Sequence, residues 1–289
     1  MSKSASCDVC FRHCEISEGT VGFCGVRTCD NGVIKPLNYG CITSLSLDPI
    51  EKKPLSRFHP GTNILSTGSY GCNLRCPFCQ NSEISWSKQA YEFKERAEYL
   101  SPEELANIAE ECRDRGNIGI AFTYNEPLIG LEYVMDTAKL IHDRGMLNVL
   151  VTNGTADVSV VKRLDGLIDA MNIDLKGFTD EYYRDVLKGD LQCTCDFIRE
   201  AVKICHVELT TLIVPGYNDT EEEMRNIAGF IESLTDKDGN PIGKEIPLHI
   251  SRFFPRFNLT EIAATDVAKV YRLADVAREK LAYVYTGNC

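Results

Sequence analysis

Strand-like and helix-like segments alternate along most of this chain, and no other feature restricts its fold as strongly. Apolar, largely β-branched runs predict six strands, at 63–69, 118–124, 147–154, 170–177, 207–216 and 246–254. Helical signals accompany them at 101–116, 131–145, 158–167, 180–187, 196–205, 220–234 and 266–281. Strands without a polar face are typical of a buried parallel sheet. The alternation therefore predicts an α/β protein with a partial (β/α)6 barrel, whose active site lies at the carboxyl ends of the strands.

The composition restricts the partners of the protein. The chain has 289 residues, 44% hydrophobic and 25% charged, with a net charge of −11. Such acidity argues against nucleic-acid binding, which requires a basic surface. No apolar run reaches the length of a membrane span, and the first residues lack the apolar stretch of a signal peptide. We therefore expect a cytoplasmic protein with neither nucleic-acid nor membrane partners.

Cysteine is the unusual component, with 14 residues in the chain. In a reducing compartment, clustered cysteines are candidate metal ligands rather than disulfides. Cys72, Cys76 and Cys79 lie in the loop that follows the first predicted barrel strand. Because a structural zinc site is normally closed by four ligands, the missing fourth cysteine needs an explanation.

Three thiolates can bind three irons of a [4Fe–4S] cluster and leave the fourth iron open. The amino and carboxylate groups of S-adenosylmethionine could chelate that iron, and one electron would then cleave the sulfonium to methionine and a 5′-deoxyadenosyl radical. A zinc site that takes its fourth ligand from elsewhere in the chain is the alternative.

The loop sequence CNLRCPFC is similar to the CxxxCxφC signature of the radical S-adenosylmethionine superfamily, with Phe78 at the aromatic position. The segment AFTYNEP resembles the GGEP motif of the same superfamily, with Tyr124 and Asn125 in place of the two glycines. This resemblance implies that Glu126 and the nearby backbone hold the amino end of the cofactor.

Later strand ends resemble the glycyl-radical-enzyme activases. The segments VTNG and NIDLKG are similar to their DTNG and DLK motifs, although Val151 stands where those enzymes carry an acid. The segments LIVPGYND and PLHISRFFP match a VPG turn and a strand that carries a histidine, which implies Val214 against adenine and His249 against ribose. The cofactor-binding residues that the resemblance implies are Phe78, Gln80, Asn125, Glu126, Thr152, Asn153, Asp174, Lys176, Val214 and His249.

A second cysteine cluster precedes the barrel. Cys7, Cys10, Cys14 and Cys24 have the spacing C-x2-C-x3-C-x9-C, and four thiolates can close either a zinc site or a second, fully ligated [4Fe–4S] cluster. Both alternatives remain open at this point. We expect a cysteine-rich metal-binding segment at residues 1–61 and a barrel at 62–289.

The chain as a whole closely resembles the AmmeMemoRadiSam group, relatives of pyruvate formate-lyase activating enzyme. Many relatives continue into a C-terminal cysteine pair, so we expect any metal site that such a tail completes to be missing from this chain, which stops at Cys289. The resemblance implies Memo-like and AMMECR-like partners and an electron donor such as flavodoxin or ferredoxin. The segment DPIEKKP is expected to form a surface turn of ion pairs; the alternative is that these residues, just ahead of the barrel, reach its open mouth.

We therefore predict a radical enzyme that abstracts hydrogen from an unidentified substrate. That substrate is a glycine in a partner protein if the activase resemblance extends to function, and otherwise a small molecule or another peptide. Tyr124, Tyr217 and Arg252 are the candidate substrate contacts. The alternative from another class is a non-enzymatic protein, either an iron–sulfur electron carrier or a zinc-binding interaction module.

Overall fold

A computed structural model describes residues 3–93 and 97–289; the first two residues of the predicted N-terminal segment and residues 94–96 lie outside this description. The strands before the barrel are β1 (Ser4–Ser6), β2 (Glu15–Ser17), β3 (Arg27–Asp30), β4 (Val33–Pro36), β5 (Cys41–Ile42) and β6 (Ser44–Pro49). The later strands are β7 (Asn63–Gly68), β8 (Glu98–Tyr99), β9 (Asn117–Phe122), β10 (Leu147–Thr152), β11 (Ala170–Asp174), β12 (His206–Ile213), β13 (Leu248–Arg252) and β14 (Val284–Gly287). The α-helices are α1 (Ser82–Ser85), α2 (Lys88–Glu92), α3 (Pro102–Glu111), α4 (Leu131–Asp143), α5 (Val158–Leu164), α6 (Leu191–Ala201), α7 (Glu221–Glu232) and α8 (Val267–Arg278).

The central sheet has eight strands in the order β14-β13-β12-β11-β10-β9-β7-β6. Strands β7 and β9 to β14 run parallel, and β6 pairs antiparallel with β7 at one edge. The six predicted strands and the partial α/β barrel are thus confirmed. Strand β14 was not predicted, because its four residues are too short to give a clear pattern.

The helices follow the predicted alternation, with two local differences. The predicted helix at 180–187 is a π-helix, Tyr182–Leu187. The helix predicted at 196–205 begins earlier, at Leu191, because the carboxylate of Asp190 caps it by accepting the Cys193 N–H at 2.7 Å. The helix predicted from residue 101 begins as expected, with a capping box between Ser101 and Glu104.

Residues 50–58, which we call the plug segment, fill the barrel at the amino ends of its strands. Ile50 and Leu55 are fully buried and pack against Ile64, Ala121 and Val149. Side chains alternate between the two faces of a strand, so Ala121 and Val149 share a face with Thr123 and Val151, one layer higher. The plug segment therefore closes the amino end of the barrel, and the cavity described below lies at the carboxyl end.

The domain division at residue 61 stays a prediction. The central sheet extends across that boundary, because β6 and the plug segment both belong to the predicted N-terminal segment and both contact the barrel. The cysteine-rich part before them contains two small antiparallel pairs, β1 with β2 and β3 with β4.

Candidate active site

Three free thiols border a cavity at the carboxyl end of the barrel. Cys72, Cys76 and Cys79 lie in the cysteine loop (residues 69–81), which follows β7. The cavity has a volume of about 420 Å³, within the usual range for small-ligand sites. Burial raises the pKa of Cys76 to about 12 and also raises the pKa values of Cys72 and Cys79. These thiols are therefore neutral unless a bound metal stabilises their thiolates.

The surrounding structure fixes the cysteine loop. The backbone N–H of Leu74 donates to the Cys72 sulfur at 3.4 Å, and Arg75 donates to the Cys72 carbonyl oxygen at 2.8 Å. Ser85 borders the same cavity as the Cys79 thiol. Gly71 has φ +91°, a conformation that L side chains rarely adopt. A glycine at the entry to the loop therefore lets the chain turn into it without strain.

The donor set of the loop suits a [4Fe–4S] cluster, because thiolates are the usual ligands of such a cluster and each binds a different iron. Within residues 3–93 and 97–289, no group of three cysteine, histidine or carboxylate side chains is placed to hold one metal ion. A zinc site, the predicted alternative at this loop, would need a fourth ligand in addition to the three thiols.

Glu126 is the buried carboxylate of the site. Its Oε1 accepts hydrogen bonds from the Thr152 hydroxyl at 2.8 Å and the Leu128 N–H at 3.1 Å, and its Oε2 accepts from the Asn153 N–H at 2.8 Å. Burial raises the pKa of Glu126 to about 7, even though these three donors act in the opposite direction. The carboxylate is thus held rigidly at the cavity wall, and a cationic or hydrogen-bond-donating ligand would stabilise its ionised form.

An ion pair lies at the end of the β11 strand. Lys176 Nζ is 2.8 Å from Asp174 Oδ2, and both side chains border the cavity. Burial alone would lower the pKa of Lys176, but the neighbouring charge of Asp174 raises it well above its ordinary value. Lys176 is therefore a fixed cation close to the thiols.

The structure brings most of the predicted site residues together. The cavity is bordered by Cys72, Cys76, Phe78, Cys79, Gln80, Asn125, Glu126, Thr152, Asn153, Asp174 and Lys176. Phe78 packs edge-to-face on Phe253, with ring centroids 6.2 Å apart.

Val214 and His249 do not border the cavity. Val214 is fully buried in an apolar cluster that includes Phe78 and Phe253. His249 Nε2 is 2.6 Å from Glu208 Oε2 and its ring stacks on Tyr285. On β13, the cavity side is occupied by Ser251, two residues further along, so His249 lies one layer deeper in the barrel. The adenine and ribose contacts expected for the two residues stay predictions.

Two of the three candidate substrate contacts border the cavity. Tyr124 and Arg252 border the cavity, whereas Tyr217 does not; its ring is 38% exposed and packs on Tyr182. The sequence reasoning missed Arg256 and Asn288, which also border the cavity. Arg256 lies in the segment RFFPRF after the sixth predicted strand, and this segment could have indicated it. Asn288 follows β14, the last strand, which was not predicted.

The expected surface turn at DPIEKKP is wrong for Lys53, which is 3% exposed. Lys53 agrees instead with the alternative that residues just ahead of the barrel reach its mouth, since its Nζ lies 5.2 Å from the ring centroid of Tyr124, which borders the cavity. The Lys53 Nζ also lies 2.9 Å from Asp48 Oδ2, and the Tyr124 hydroxyl donates to the same oxygen at 3.0 Å. Burial would raise the pKa of Asp48, but the Lys53 charge and these hydrogen bonds lower it to about 2. The pair holds Tyr124, whose φ is +71°, at the cavity wall.

The four N-terminal cysteines also lie together. Cys7, Cys10, Cys14 and Cys24 border one small cavity beside the cysteine loop. Cys10 pairs with Ala156 through an isolated β-bridge, so this segment packs against the loop that follows β10.

A family model described as the radical SAM superfamily matches residues 67–231, more than half of the chain. The chain belongs to the radical SAM superfamily. Enzymes of this superfamily use a [4Fe–4S] cluster and S-adenosylmethionine, which agrees with the thiols and polar groups around the cavity. Among the described residues, no helix is both long and apolar enough to cross a bilayer.

Individual relatives and one solved structure resemble this chain. The uncharacterized protein MJ0808 of Methanocaldococcus jannaschii is 40% identical over 286 residues, which are 98% of this chain and 80% of that protein. The pyruvate formate-lyase-activating enzyme of Clostridium pasteurianum is 24% identical over 73% of this chain and 88% of its own. The crystal structure of Streptococcus suis SuiB bound to S-adenosylmethionine has a TM-score of 0.55 at 13% identity, over 76% of this chain and 48% of that one. That structural likeness shows the fold.

Proposed function

We propose that this radical SAM enzyme holds its cluster on Cys72, Cys76 and Cys79, binds S-adenosylmethionine in the adjoining cavity and abstracts a hydrogen atom from an organic substrate. One observation carries the proposal: three free thiols, the buried Glu126 and the fixed cation of Lys176 border a single cavity. When bound, the cluster supplies the electron that cleaves S-adenosylmethionine to methionine and a 5′-deoxyadenosyl radical.

The polar groups of the cavity suit the methionine end of the cofactor. Glu126 accepts hydrogen bonds from its amino group, and this interaction favours the ionised carboxylate whose pKa burial raises to about 7. Lys176 attracts its carboxylate, while Asp174 keeps the lysine side chain in place. The ring of Phe78 supplies an apolar wall that keeps water from the reacting atoms.

The cavity mouth favours a substrate that carries an anionic group. Arg252 and Arg256 border it, and neither forms an ion pair with another described residue. The Arg252 Nε donates to the Thr265 carbonyl oxygen at 2.7 Å, so the guanidinium is oriented while its terminal nitrogens stay free for a ligand. Carboxylates and phosphates are the groups that a planar guanidinium binds best.

A second candidate is a glycyl-radical-enzyme activase, whose substrate is a glycine in a partner protein. The similarity to the pyruvate formate-lyase-activating enzyme of Clostridium pasteurianum favours it. In either case the enzyme requires a one-electron donor, for which a flavodoxin or ferredoxin is suitable. Memo-like and AMMECR-like proteins remain the partners that the sequence resemblance suggests.

The test is the formation of 5′-deoxyadenosine under anaerobic, reducing conditions by the full chain reconstituted with iron and sulfide. We expect product from the wild type and from Cys112→Ala, which removes a buried thiol on the far side of the barrel wall, and none from Cys76→Ala. Equal product from the wild type and Cys76→Ala would contradict the proposal.

A further inference from the structure

The carboxamide of Asn125 ties the entry of the cysteine loop to the segment that carries Glu126. Its Oδ1 accepts the Ser69 N–H at 3.0 Å, and its Nδ2 donates to the Gly71 carbonyl oxygen at 3.1 Å. The same Nδ2 donates to the Glu126 carbonyl oxygen at 3.4 Å. Although Asn125 borders the cavity, both polar atoms of its side chain therefore already have partners in the protein.

The two contacts with the loop require a donor and an acceptor on one short side chain. Ser69 presents an N–H and Gly71 a carbonyl oxygen, and a carboxamide is complementary to both. A carboxylate would accept the first bond without donating the second, and glycine or alanine supplies neither. Because Gly71 directly precedes Cys72, the second bond acts one residue away from a candidate iron ligand.

The exit of the cysteine loop is tied to the neighbouring residue. Asn81 Nδ2 donates to the Tyr124 carbonyl oxygen at 2.7 Å. Asn81 lies two residues after Cys79 and directly before α1, whose first turn its side chain does not cap. The two ends of the loop are therefore bonded to consecutive residues, Tyr124 and Asn125, which we call the loop clamp. The loop clamp directly precedes Glu126.

Tyr124 is itself fixed on several sides. Its φ is +71°, which a residue other than glycine adopts only where the surrounding structure compensates for the strain. Its hydroxyl donates to Asp48 Oδ2 at 3.0 Å, and Lys53 donates to the same oxygen. A Cβ added at Gly68 would lie 2.8 Å from the Tyr124 ring, so the ring packs directly on the end of β7. The loop clamp is thus anchored to β6 and β7 as well as to the loop.

The loop clamp controls the placement of the thiols relative to Glu126. In the proposed function, the amino group of S-adenosylmethionine binds an iron held by the cysteine loop and the Glu126 carboxylate at the same time. Glu126 is fixed from its other side by Thr152 and Asn153. Two anchors of one small group must be held to about 0.5 Å, and a misplacement of about 1 Å can cost about a hundredfold.

We propose that Tyr124 and Asn125 are positioning residues that lock the cysteine loop to the Glu126 segment, so that the loop and the carboxylate bind the same amino group. The role in cofactor binding rests on the proposed function, whereas the contacts between the loop clamp and the loop do not. Asn125 acts through its backbone partners in the loop and not through a contact with the cofactor.

The first measurement is hydrogen–deuterium exchange of residues 69–81 in the metal-free full chain. Asn125→Ala should accelerate exchange in this segment about tenfold, because two bonds to the loop backbone are lost, and Asn81→Ala about threefold, because one is lost. Asn117→Ala is the matched control. The Asn117 carboxamide also joins an N–H to a carbonyl oxygen, those of Leu65 at 2.8 Å and Ala109 at 2.7 Å, but at the amino end of β9. It should leave exchange in the loop unchanged.

The second measurement is the affinity of the reconstituted full chain for S-adenosylmethionine. Asn125→Ala should weaken it about tenfold, whereas Asn117→Ala should leave it within about twofold of the wild-type value. In a Glu126→Gln background, Asn125→Ala should weaken it by less than about threefold, because the contact that Asn125 positions is already lost.

Three results overturn the inference. The first is unchanged loop exchange in both Asn125→Ala and Asn81→Ala. The second is an equal loss of affinity in Asn117→Ala and Asn125→Ala, which would indicate a general loss of stability. The third is a full tenfold loss in the Glu126→Gln background, which would assign Asn125 to a direct cofactor contact.

Two further outcomes are separated by the same measurements. If Asn125→Ala fails to fold, Asn81→Ala decides the question, because it removes only the bond at the loop exit. A wild type that binds no cofactor, with loop exchange that responds as expected in the variants, would refute the proposed function and support the contacts of the loop clamp alone.

Discussion

Replacing His249 with phenylalanine separates two roles for this residue, a cofactor contact or a support of the barrel interior. The substitution keeps a flat ring to stack on Tyr285 and removes the nitrogen that lies 2.6 Å from Glu208. A hydrogen bond to a buried charged group contributes about 1.5–3 kcal/mol. Glu208 keeps His206 and the N–H groups of the plug segment as donors. We therefore expect a loss of about 2 kcal/mol in the free energy of unfolding.

The assay pairs urea unfolding with S-adenosylmethionine binding to the reconstituted protein. Since His249 does not border the cavity, His249→Phe should leave the dissociation constant of the cofactor within about twofold of the wild-type value, a change of less than 1 kcal/mol. A tenfold weaker cofactor affinity with unchanged stability would refute this reasoning. It would support the contact between His249 and the ribose that the sequence resemblance implies.

Three further predictions concern charge and close packing. Glu208→Gln should cost about 3 kcal/mol of stability near pH 7, because hydrogen bonds from the two histidines and the plug backbone outweigh burial and lower the pKa of Glu208 to about 2. The affinity of the wild type for S-adenosylmethionine should fall about tenfold from pH 8 to pH 6. Burial raises the pKa of Glu126 to about 7, and the amino group of the cofactor binds the ionised carboxylate of Glu126. Gly71→Ala should destabilise the protein by about 1–3 kcal/mol, because the new Cβ would lie 2.7 Å from a Val26 methyl and 2.9 Å from the Cys24 carbonyl oxygen.

Each of these predictions has a control. The cost of Glu208→Gln should be complete above the ordinary carboxyl pKa of 4.5 and disappear as the pH falls towards 2; a cost that does not depend on pH in urea unfolding would argue against a charged Glu208. Glu126→Gln should bind the cofactor weakly with no pH dependence, and a retained dependence would assign the titration to another group. Gly61→Ala, at a positive φ with open space around it, is the matched control for Gly71→Ala. Equal stabilities of the two variants would show that the contact between loop and N-terminal segment is not tight.

Much of the fold could be predicted from local patterns, and most of the cavity residues from the resemblance of the strand-end motifs to a known family. Strands that are apolar on both faces can be recognised from the sequence. The polar residues that follow such strands must meet at one edge of a parallel sheet. The layer that a side chain occupies is harder to predict. His249 and Ser251 lie on the same face of one strand, but Ser251 borders the cavity and His249 does not, although its register partner Thr210 does.

Lys53 illustrates a second limit. A lysine among other charged residues is usually exposed, and nothing in DPIEKKP distinguishes this one. Its burial results from the plug segment entering the barrel, where Asp48 and the ring of Tyr124 compensate for the loss of water around its charge. The contact with Tyr124 joins elements distant in sequence, so no local pattern could reveal it.

The central claim is that the three loop thiols hold a cluster with an open iron that S-adenosylmethionine occupies. The most direct test is electron–nuclear double resonance on the reduced wild-type protein mixed with cofactor labelled with 15N in the amino group or 17O in the carboxylate. The account predicts hyperfine coupling from both labels in the wild type, and none in Cys76→Ala. The absence of coupling from either label in the wild type, with the loop cluster present and reduced, would contradict it.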